Sequence, residues 1–223
     1  MPQTILFDLD GTLTDPAVGI TRAVAYALAH YGITVEDLST LHPFIGPPLD
    51  DSFERFFGFS HERAVEAIGI YREYFRDTGI FENEVYPGIP EMLEKLQAAG
   101  KTLVVATSKP EPFAVRILDH FCLARYFTAV VGSELDGTRV KKDEVIAEAL
   151  KRNGMQKRNA VMVGDREHDV RGAGKVGLPC VGVLYGYGSR AELTAAGAAA
   201  LAETPEELCR ILTGEKSQAS YVK

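Results

Sequence analysis

Short, nearly continuous apolar segments alternate with helix-patterned segments along most of this 223-residue chain. The apolar segments predict five strands, at residues 5–9, 102–106, 129–132, 160–163 and 180–184. Strands that are apolar at almost every position are typical of a parallel sheet covered by helices on both faces. The helix patterns between them fall at 89–99, 112–121, 142–152 and 170–176. This order predicts an α/β fold built on a Rossmann-like parallel sheet.

One interval breaks the alternation, because residues 16–83 contain no convincing strand. Residues 17–31 carry apolar side chains at helical spacing, and Ser60 could N-cap a second helix that runs to Arg76. A loop rich in Pro and Gly is expected at 42–49. We therefore predict a small all-helical domain at 16–83, inserted into a core made of residues 1–15 and 84–214. Residues 215–223 are expected to form a polar tail.

The composition argues against several kinds of partner and location. The net charge is −7, and no basic patch suggests binding to a nucleic acid polymer. No run of 18 apolar residues predicts a membrane span. The three cysteines lack CxxC spacing, and the first strand begins within a few residues of the N-terminus, so a reducing, cytoplasmic location is expected. A monomer and a homodimer both remain possible.

Two aspartates at the end of the first strand are the main chemical signal. Asp8 and Asp10 are two positions apart, so in a strand they lie on the same face. Two neighbouring buried carboxylates repel each other unless a cation or hydrogen-bond donors compensate them. A hard divalent cation is the simplest compensator. The alternative is that Asp10-Gly11 is only a turn.

Polar residues also follow two further predicted strands. Thr107, Ser108 and Lys109 come after residues 102–106, and the segment 164–169 follows residues 160–163. Ligands of open parallel sheets bind outside the carboxyl ends of the strands, so these groups are expected to meet at one site. Carboxylates, hydroxyls, an ammonium group and a metal ion are the groups that phosphoryl transfer requires.

These segments resemble the motifs of the haloacid dehalogenase (HAD) superfamily of phosphatases, over essentially the whole chain. The first motif is similar to Asp8-Leu9-Asp10-Gly11-Thr12-Leu13-Thr14, with Asp15 following, and the second to Val104-Val105-Ala106-Thr107. Lys142 matches the lysine of the third motif, and Gly164-Asp165-Arg166-Glu167-His168-Asp169 matches the fourth. The helical insertion resembles the C1-type cap of this superfamily.

Two further segments resemble a narrower group. Residues 135–139 (Leu-Asp-Gly-Thr-Arg) and 183–189 (Val-Leu-Tyr-Gly-Tyr-Gly-Ser) look like parts of phosphoglycolate phosphatase-like proteins, including a branch described as 5′-nucleotidases. The alternative for Tyr185–Gly188 is a glycine-rich loop after the last strand. These segments do not reveal the substrate directly.

The resemblance implies a role for each matching residue. Asp8 would be the nucleophile, and Asp10 would be the general acid and then the base. The Mg²⁺ ligands would be Asp8, the backbone carbonyl of Asp10, Asp165 and, directly or through water, Asp169. Thr107 and Ser108 would bind phosphoryl oxygens, with Gly11 and Lys109 as further phosphate contacts. Lys142 would pair with Asp8 and with the phosphate.

Several of these assignments have alternatives. Lys141 could take the place of Lys142, and Lys109 could be an exposed loop lysine. Substrate contacts from the insertion could come from Arg22, Arg55 or the loop 44–47, although Arg22 could equally be a surface arginine. The phenylalanines of the insertion could stack on a base or form its core; they are Phe53, Phe56 and Phe57. His42 and His168 are weak candidates, and His168 is expected beside the site or exposed.

The sequence thus predicts a Mg²⁺-dependent phosphomonoesterase that works through an aspartyl-phosphate intermediate. Its expected substrate is a small phosphorylated metabolite, phosphoglycolate or a nucleoside 5′-monophosphate. One alternative is a phosphomutase similar to β-phosphoglucomutase, and another is a non-catalytic protein that binds phosphorylated metabolites. A halide-releasing dehalogenase is disfavoured, since that chemistry lacks the second aspartate and the Mg²⁺ requirement.

Overall fold

A six-stranded parallel sheet forms the centre of the computed structural model, which describes residues 1–215. The predicted polar tail therefore lies, from residue 216 on, outside the described residues. The strands are β1 (Thr4–Phe7), β2 (Thr14–Asp15), β3 (Glu84–Val85), β4 (Thr102–Pro110), β5 (Ala129–Ser133), β6 (Ala160–Gly164), β7 (Cys180–Val183) and β8 (Ala200–Ala202). The main sheet has the order β5-β4-β1-β6-β7-β8, and all of its pairs are parallel. The predicted α/β fold is confirmed.

The helices are α1 (Ala17–His30), α2 (Leu49–Phe57), α3 (His61–Phe75), α4 (Ile89–Ala98), α5 (Glu111–His120), α6 (Lys142–Arg152), α7 (Glu167–Val176), α8 (Arg190–Ala196) and α9 (Pro205–Thr213). The first three belong to the inserted segment, and helices of the core cover both faces of the sheet. Ile5 and Phe7 of β1 pack into an apolar cluster on one face of the sheet, and Leu6, which points to the opposite face, packs into a second cluster. Because both faces of the sheet are buried, its strands are apolar at nearly every position.

The inserted segment is helical, as predicted. Residues 16–83, all of which the structure describes, contain α1, α2, α3 and two short 3₁₀ helices at 38–44 and 79–81, and no strand. The chain leaves and re-enters the core through a two-stranded antiparallel ribbon, in which Thr14 pairs with Val85 and Asp15 with Glu84. The ribbon sets the insertion directly above the end of β1. We call residues 16–83 the cap.

Three features of the chain differ from the prediction. The expected loop at 42–49 begins inside a 3₁₀ helix (38–44), which the Asp37 side chain caps by accepting a hydrogen bond from the backbone N–H of Ser39 at 2.9 Å. The helices α2 and α8 were not predicted, and neither were the short strands β2, β3 and β8. The alanine-rich segment before β8 carries neither a helical nor a strand period, so sequence periodicity gives no signal there.

The cap has an aromatic core of its own. Phe53 is completely buried and stacks on Phe59, with ring centroids 5.8 Å apart. Phe44 packs edge-on against Phe53 at 5.1 Å, whereas Phe56 stays 43% exposed. The phenylalanines therefore hold the cap together, and Phe53 is not available to stack on a ligand.

Among the described residues, no helix is both long and apolar enough to cross a membrane. The three cysteines are all free: Cys122 is exposed, and Cys180 and Cys209 are buried.

Candidate active site

Three neighbouring strands bring their polar ends together at one edge of the sheet. β1 lies between β4 and β6, so the residues that follow β1 are next to those that end β4 and follow β6. Asp8, Thr107 and Asp165 therefore meet at the carboxyl edge of the sheet, although they are far apart in the sequence. This is the arrangement that the order of the motifs predicts.

Three buried carboxylates form the centre of the site. One oxygen from each of Asp8, Asp165 and Asp169 lies within 4.8 Å of the others. Burial, followed by repulsion from Asp169, raises the pKa of Asp165 well above its ordinary value. Burial also raises the pKa of Asp169 to about 6, although Lys142 opposes the shift. This concentration of negative charge is costly unless a cation compensates it.

The donor set fits a hard divalent cation. Oδ2 of Asp165 accepts a hydrogen bond from the backbone N–H of Tyr187 at 2.8 Å, whereas its buried Oδ1 has no hydrogen-bond partner within residues 1–215. Carboxylate oxygens are the ligands that Mg²⁺ prefers. The side chain of Asp10 lies outside this group of three, so its predicted metal contact, through the backbone carbonyl, stays a prediction.

Lys142 connects two of the three carboxylates. Its Nζ lies 2.8 Å from Oδ1 of Asp8 and 2.9 Å from Oδ1 of Asp169, and its side chain is buried. Burial lowers the pKa of this lysine, but the two carboxylates outweigh burial and the net pKa is raised, so Lys142 stays charged. Lys141 precedes the first turn of α6 and is exposed, so of the two adjacent lysines the fold brings Lys142 to the site.

A second buried ion pair lies beside the first. Lys109 Nζ is 2.8 Å from Oδ2 of Asp10, and it also lies 4.5 Å above the ring of Phe75 from the cap. Lys109 is therefore buried and is not an exposed loop lysine. Burial raises the pKa of Asp10, and Lys109 only partly offsets this effect. A raised pKa suits a carboxyl group that must hold a proton.

The remaining predicted phosphate contacts lie around Asp8. Oγ1 of buried Thr107 accepts a hydrogen bond from the backbone N–H of Lys109 at 3.2 Å, which leaves the hydroxyl proton free to be donated. Ser108 is half-buried at the wall of the same cavity. Gly11 has a φ of +79°, and a Cβ there would overlap the Asp165 carboxylate. Only glycine lets the first motif approach the fourth this closely.

The structure places Arg22 outside the cavity above Asp8. Its guanidinium pairs with Glu82, which is distant in the sequence but lies beside the start of α1, and its side chain is about half exposed. The guanidinium of Arg55 lies 5.4 Å from the ring of Phe56, also away from this cavity. His168 is exposed, which is one of the two positions expected for it.

A cavity of about 360 Å³ lies between the core and the cap, above Asp8 and Asp10. The cap contributes mainly apolar side chains to its wall; among them are Phe44, Leu49, Val65, Ile68 and Tyr71. Asp50, Glu134 and Asp136 add negative charge to the wall. The loop 44–47, a predicted source of substrate contacts, supplies Phe44, Gly46 and Pro47 to this wall.

Sequence reasoning missed the residues that support the site. The backbone of Tyr187 holds Asp165, and the Tyr187 hydroxyl bonds to Asp15 of the first motif. The Tyr185 hydroxyl donates to the Thr12 carbonyl oxygen at 3.2 Å. The sequence did offer one signal for these residues: the segment 183–189 resembles part of phosphoglycolate phosphatase-like proteins, but the resemblance assigned it no chemical role. It is indeed a loop after the last long strand, and it packs on both the first and the fourth motif.

Comparisons with known proteins agree with this geometry. A family model described as haloacid dehalogenase-like hydrolase matches residues 5–183. A 5′-nucleotidase from Pseudomonas aeruginosa is 54% identical over 86% of this chain and 86% of its own length. The tyrosine-protein kinase PtkA of Mycobacterium tuberculosis is 43% identical over 84% of this chain, which corresponds to 64% of PtkA. The crystal structure of a predicted phosphatase from Clostridium acetobutylicum has a TM-score of 0.94 and 49% identity, covering 96% of this chain and 99% of that one. The chain belongs to the haloacid dehalogenase-like hydrolases.

Proposed function

We propose that this protein is a Mg²⁺-dependent phosphomonoesterase that hydrolyses nucleoside 5′-monophosphates. One observation carries the proposal. The carboxylate of Asp8, held by Lys142, lies at the floor of a cavity that the cap covers, with a second carboxyl group, Asp10, beside it. A nucleophile, a separate proton carrier and a compensating cation are the parts that this hydrolysis requires.

The reaction divides into two steps. An oxygen of Asp8 forms a bond to phosphorus while the bond from phosphorus to the leaving oxygen breaks, and Asp10 gives that oxygen its proton. Asp10 then accepts a proton from a water molecule, the water oxygen attacks phosphorus, and Asp8 is released as a carboxylate. Lys142 holds the Asp8 carboxylate in an ion pair, and the hydroxyl of Thr107 donates to a phosphoryl oxygen. Mg²⁺ held by Asp8, Asp165 and Asp169 would offset the repulsion between carboxylate and phosphate.

The cavity favours a nucleoside over glycolate as the leaving group. Phosphoglycolate carries a second negative charge, which needs a cation beyond the phosphoryl site. Among the described residues, Arg72 and His61 are the cationic side chains of the cavity wall contributed by the cap. Arg72 donates to a backbone carbonyl, and His61 pairs with Glu54 at 2.9 Å. The apolar wall suits an uncharged ring system, and the 54% identical relative is named a 5′-nucleotidase.

The same wall argues against a phosphomutase. A mutase must hold a sugar bisphosphate, and the second phosphate needs a cluster of donors and positive charges in the cap. The acidic residues Asp50 and Asp136 would instead repel that second phosphate.

A substrate panel tests the proposal. We expect kcat/KM for AMP, UMP and their deoxy forms to exceed that for phosphoglycolate by at least about tenfold. The measurement is the release of inorganic phosphate, with p-nitrophenyl phosphate as a small control substrate. Phosphoglycolate ahead of every nucleotide would overturn the substrate assignment. Transfer of phosphate from ATP to a tyrosine peptide, without release of free phosphate, would overturn the reaction itself.

Metal binding can be tested through stability as well as activity. EDTA is expected to stop phosphate release, and added Mg²⁺ to restore it. Saturating Mg²⁺ should raise Tm by roughly 5–10 °C, because a ligand that binds only the folded state stabilises it. The pKa of Asp169 is raised to about 6, so the metal-free folded state loses stability as the pH rises and Asp169 ionises. The increase in Tm on adding Mg²⁺ should therefore be larger above pH 6 than below it. A Tm that Mg²⁺ does not change would contradict the assigned ligands, and Asp165→Asn is the matched control that should lose the gain.

A further inference from the structure

Two arginines join the cap to the core, and none of the motif roles described above includes them. Arg72 belongs to the cavity wall, whereas Arg166 lies next to the wall residue Gly46. Arg166 follows the metal-site residue Asp165 in the core, and its guanidinium donates to the backbone carbonyl of Ile45 in the cap at 2.8 Å. Arg72 lies on α3 of the cap, and its guanidinium donates to the carbonyl of Leu135 in the core at 3.0 Å. One hydrogen bond therefore has its donor in the core and its acceptor in the cap, and the other has its donor in the cap and its acceptor in the core.

Contacts on the core side and close packing on the cap side both fix the position of Arg166. Its Nε donates to Oε1 of Glu192 at 2.9 Å, and the same oxygen accepts the backbone N–H of Glu167 at 2.9 Å. The guanidinium is thus held by contacts within the core that do not involve the cap. On the cap side, Gly46 has a φ of +101°, and a Cβ at that position would lie 3.0 Å from Cγ of Arg166. The cap loop therefore passes directly over this side chain.

The loop that accepts the hydrogen bond from Arg72 is stabilised by hydrogen bonds of its own. Leu135 belongs to the loop 134–139, in which Oδ1 of Asp136 accepts from both the backbone N–H and the hydroxyl of Thr138, at 2.9 and 2.7 Å. Arg139 ties the end of the loop to the carbonyl of Gly132 at 3.0 Å. This is one of the two segments that resemble phosphoglycolate phosphatase-like proteins, and here it forms part of the cavity wall.

The chemistry of the two contacts suits a bond that opens and closes. Each pairs a charged donor with a neutral carbonyl, so separation leaves no buried carboxylate without its partner. Both arginines can be hydrated again when the cap moves away. A hydrogen bond to a charged donor is nevertheless stronger than one between neutral groups. The cap forms one side of the cavity above Asp8, so these contacts must release for the cap to move away from the core.

We propose that Arg72 and Arg166 are positioning residues that hold the cap against the core over the substrate, Arg72 through the carbonyl of Leu135 and Arg166 through the carbonyl of Ile45. The proposal rests on the proposed function only in that a substrate occupies this cavity. Closure excludes water and brings the apolar cap wall against the leaving group. A protein whose closed state is less populated binds its ligand with lower apparent affinity, whereas the reaction inside the closed state is unchanged.

The test uses Arg72→Met, Arg166→Met and the double variant in the full chain. Each single change should raise KM for the best nucleotide of the panel about tenfold, and the double change about a hundredfold, with kcat within about threefold of wild type. The matched controls are Arg76→Met in the cap and Arg171→Met on α7. Both arginines are exposed, and in the part of the chain that the structure describes they form ion pairs only with Asp77 and Glu167, respectively. Both controls should keep the wild-type KM.

Two readouts separate this role from a structural one. If Arg166 only shapes the metal loop, Arg166→Met should lower kcat and raise the Mg²⁺ concentration needed for activation, and that result would overturn the proposal. Hydrogen exchange measured by mass spectrometry, without substrate, should be faster in the peptides that cover 38–46 and 134–140 in the double variant than in wild type. Wild-type exchange in those peptides would also overturn it. The exchange experiment does not use activity, so it remains decisive even if the proposed substrate proves wrong.

Discussion

Asp8→Asn is expected to lower the rate of phosphate release by at least about 10⁴-fold, because the amide cannot form a bond to phosphorus. Asp8 is the carboxylate that Lys142 holds in place at 2.8 Å, and it lies at the floor of the cavity. The measurement is kcat with p-nitrophenyl phosphate and with the best nucleotide substrate, at saturating Mg²⁺. In addition, wild-type enzyme quenched with acid during turnover should carry phosphate on the peptide that contains Asp8.

The fold should tolerate this change. The amide oxygen of asparagine can still accept a hydrogen bond from Lys142, and one of three mutually repelling carboxylates is removed. We therefore expect the free energy of unfolding without metal to change by no more than about 1 kcal/mol. Retained turnover in folded Asp8→Asn, or phosphate trapped on a peptide without Asp8, would show that another group attacks phosphorus.

The sequence could predict the centre of the site because its residues follow strands. The carboxyl ends of the strands of a parallel sheet lie at one edge, so Asp8, Thr107 and Asp165 could be placed at the same edge, although the sequence did not predict which strands are neighbours. The choice of Lys142 over Lys141 was not settled by spacing. Lys142 contacts Asp8 because of which side of the first turn of α6 faces the sheet edge, and that depends on packing.

The wall of the cavity could not be predicted in the same way. Arg22 has the residue type and approximate position of a substrate contact, but Glu82, 60 positions later in the sequence, takes its guanidinium. Lys109 could be read as an exposed loop lysine, yet the cap covers it and Phe75 lies against its Nζ. Both outcomes depend on contacts between distant parts of the chain, which periodicity and motifs do not report. The contacts of Arg72 and Arg166 with backbone carbonyls carry no sequence signal at their acceptors, since every residue has a carbonyl.

Lys142→Met is expected to cost both stability and activity. The lysine is buried between Asp8 and Asp169, at 2.8 and 2.9 Å, and methionine fills its volume without its charge. Two buried carboxylates then lack their cation, so the metal-free protein should lose about 3–5 kcal/mol of unfolding free energy. The rate of phosphate release at saturating Mg²⁺ should fall by about 10²–10³-fold, since a fixed positive group at the phosphoryl site is lost.

Two companion variants identify the cause. Lys141→Met changes the exposed neighbour and should alter the unfolding free energy by less than about 0.5 kcal/mol, measured by urea denaturation in EDTA. Adding Asp169→Asn to Lys142→Met should recover part of the lost stability, because one uncompensated carboxylate is removed, while activity stays low. If Lys141→Met and Lys142→Met lost the same unfolding free energy, the loss would come from changing a lysine at the start of α6 and not from breaking the ion pairs with Asp8 and Asp169. A double variant no more stable than Lys142→Met would mean that packing around the lysine, and not its charge, stabilises this part of the core.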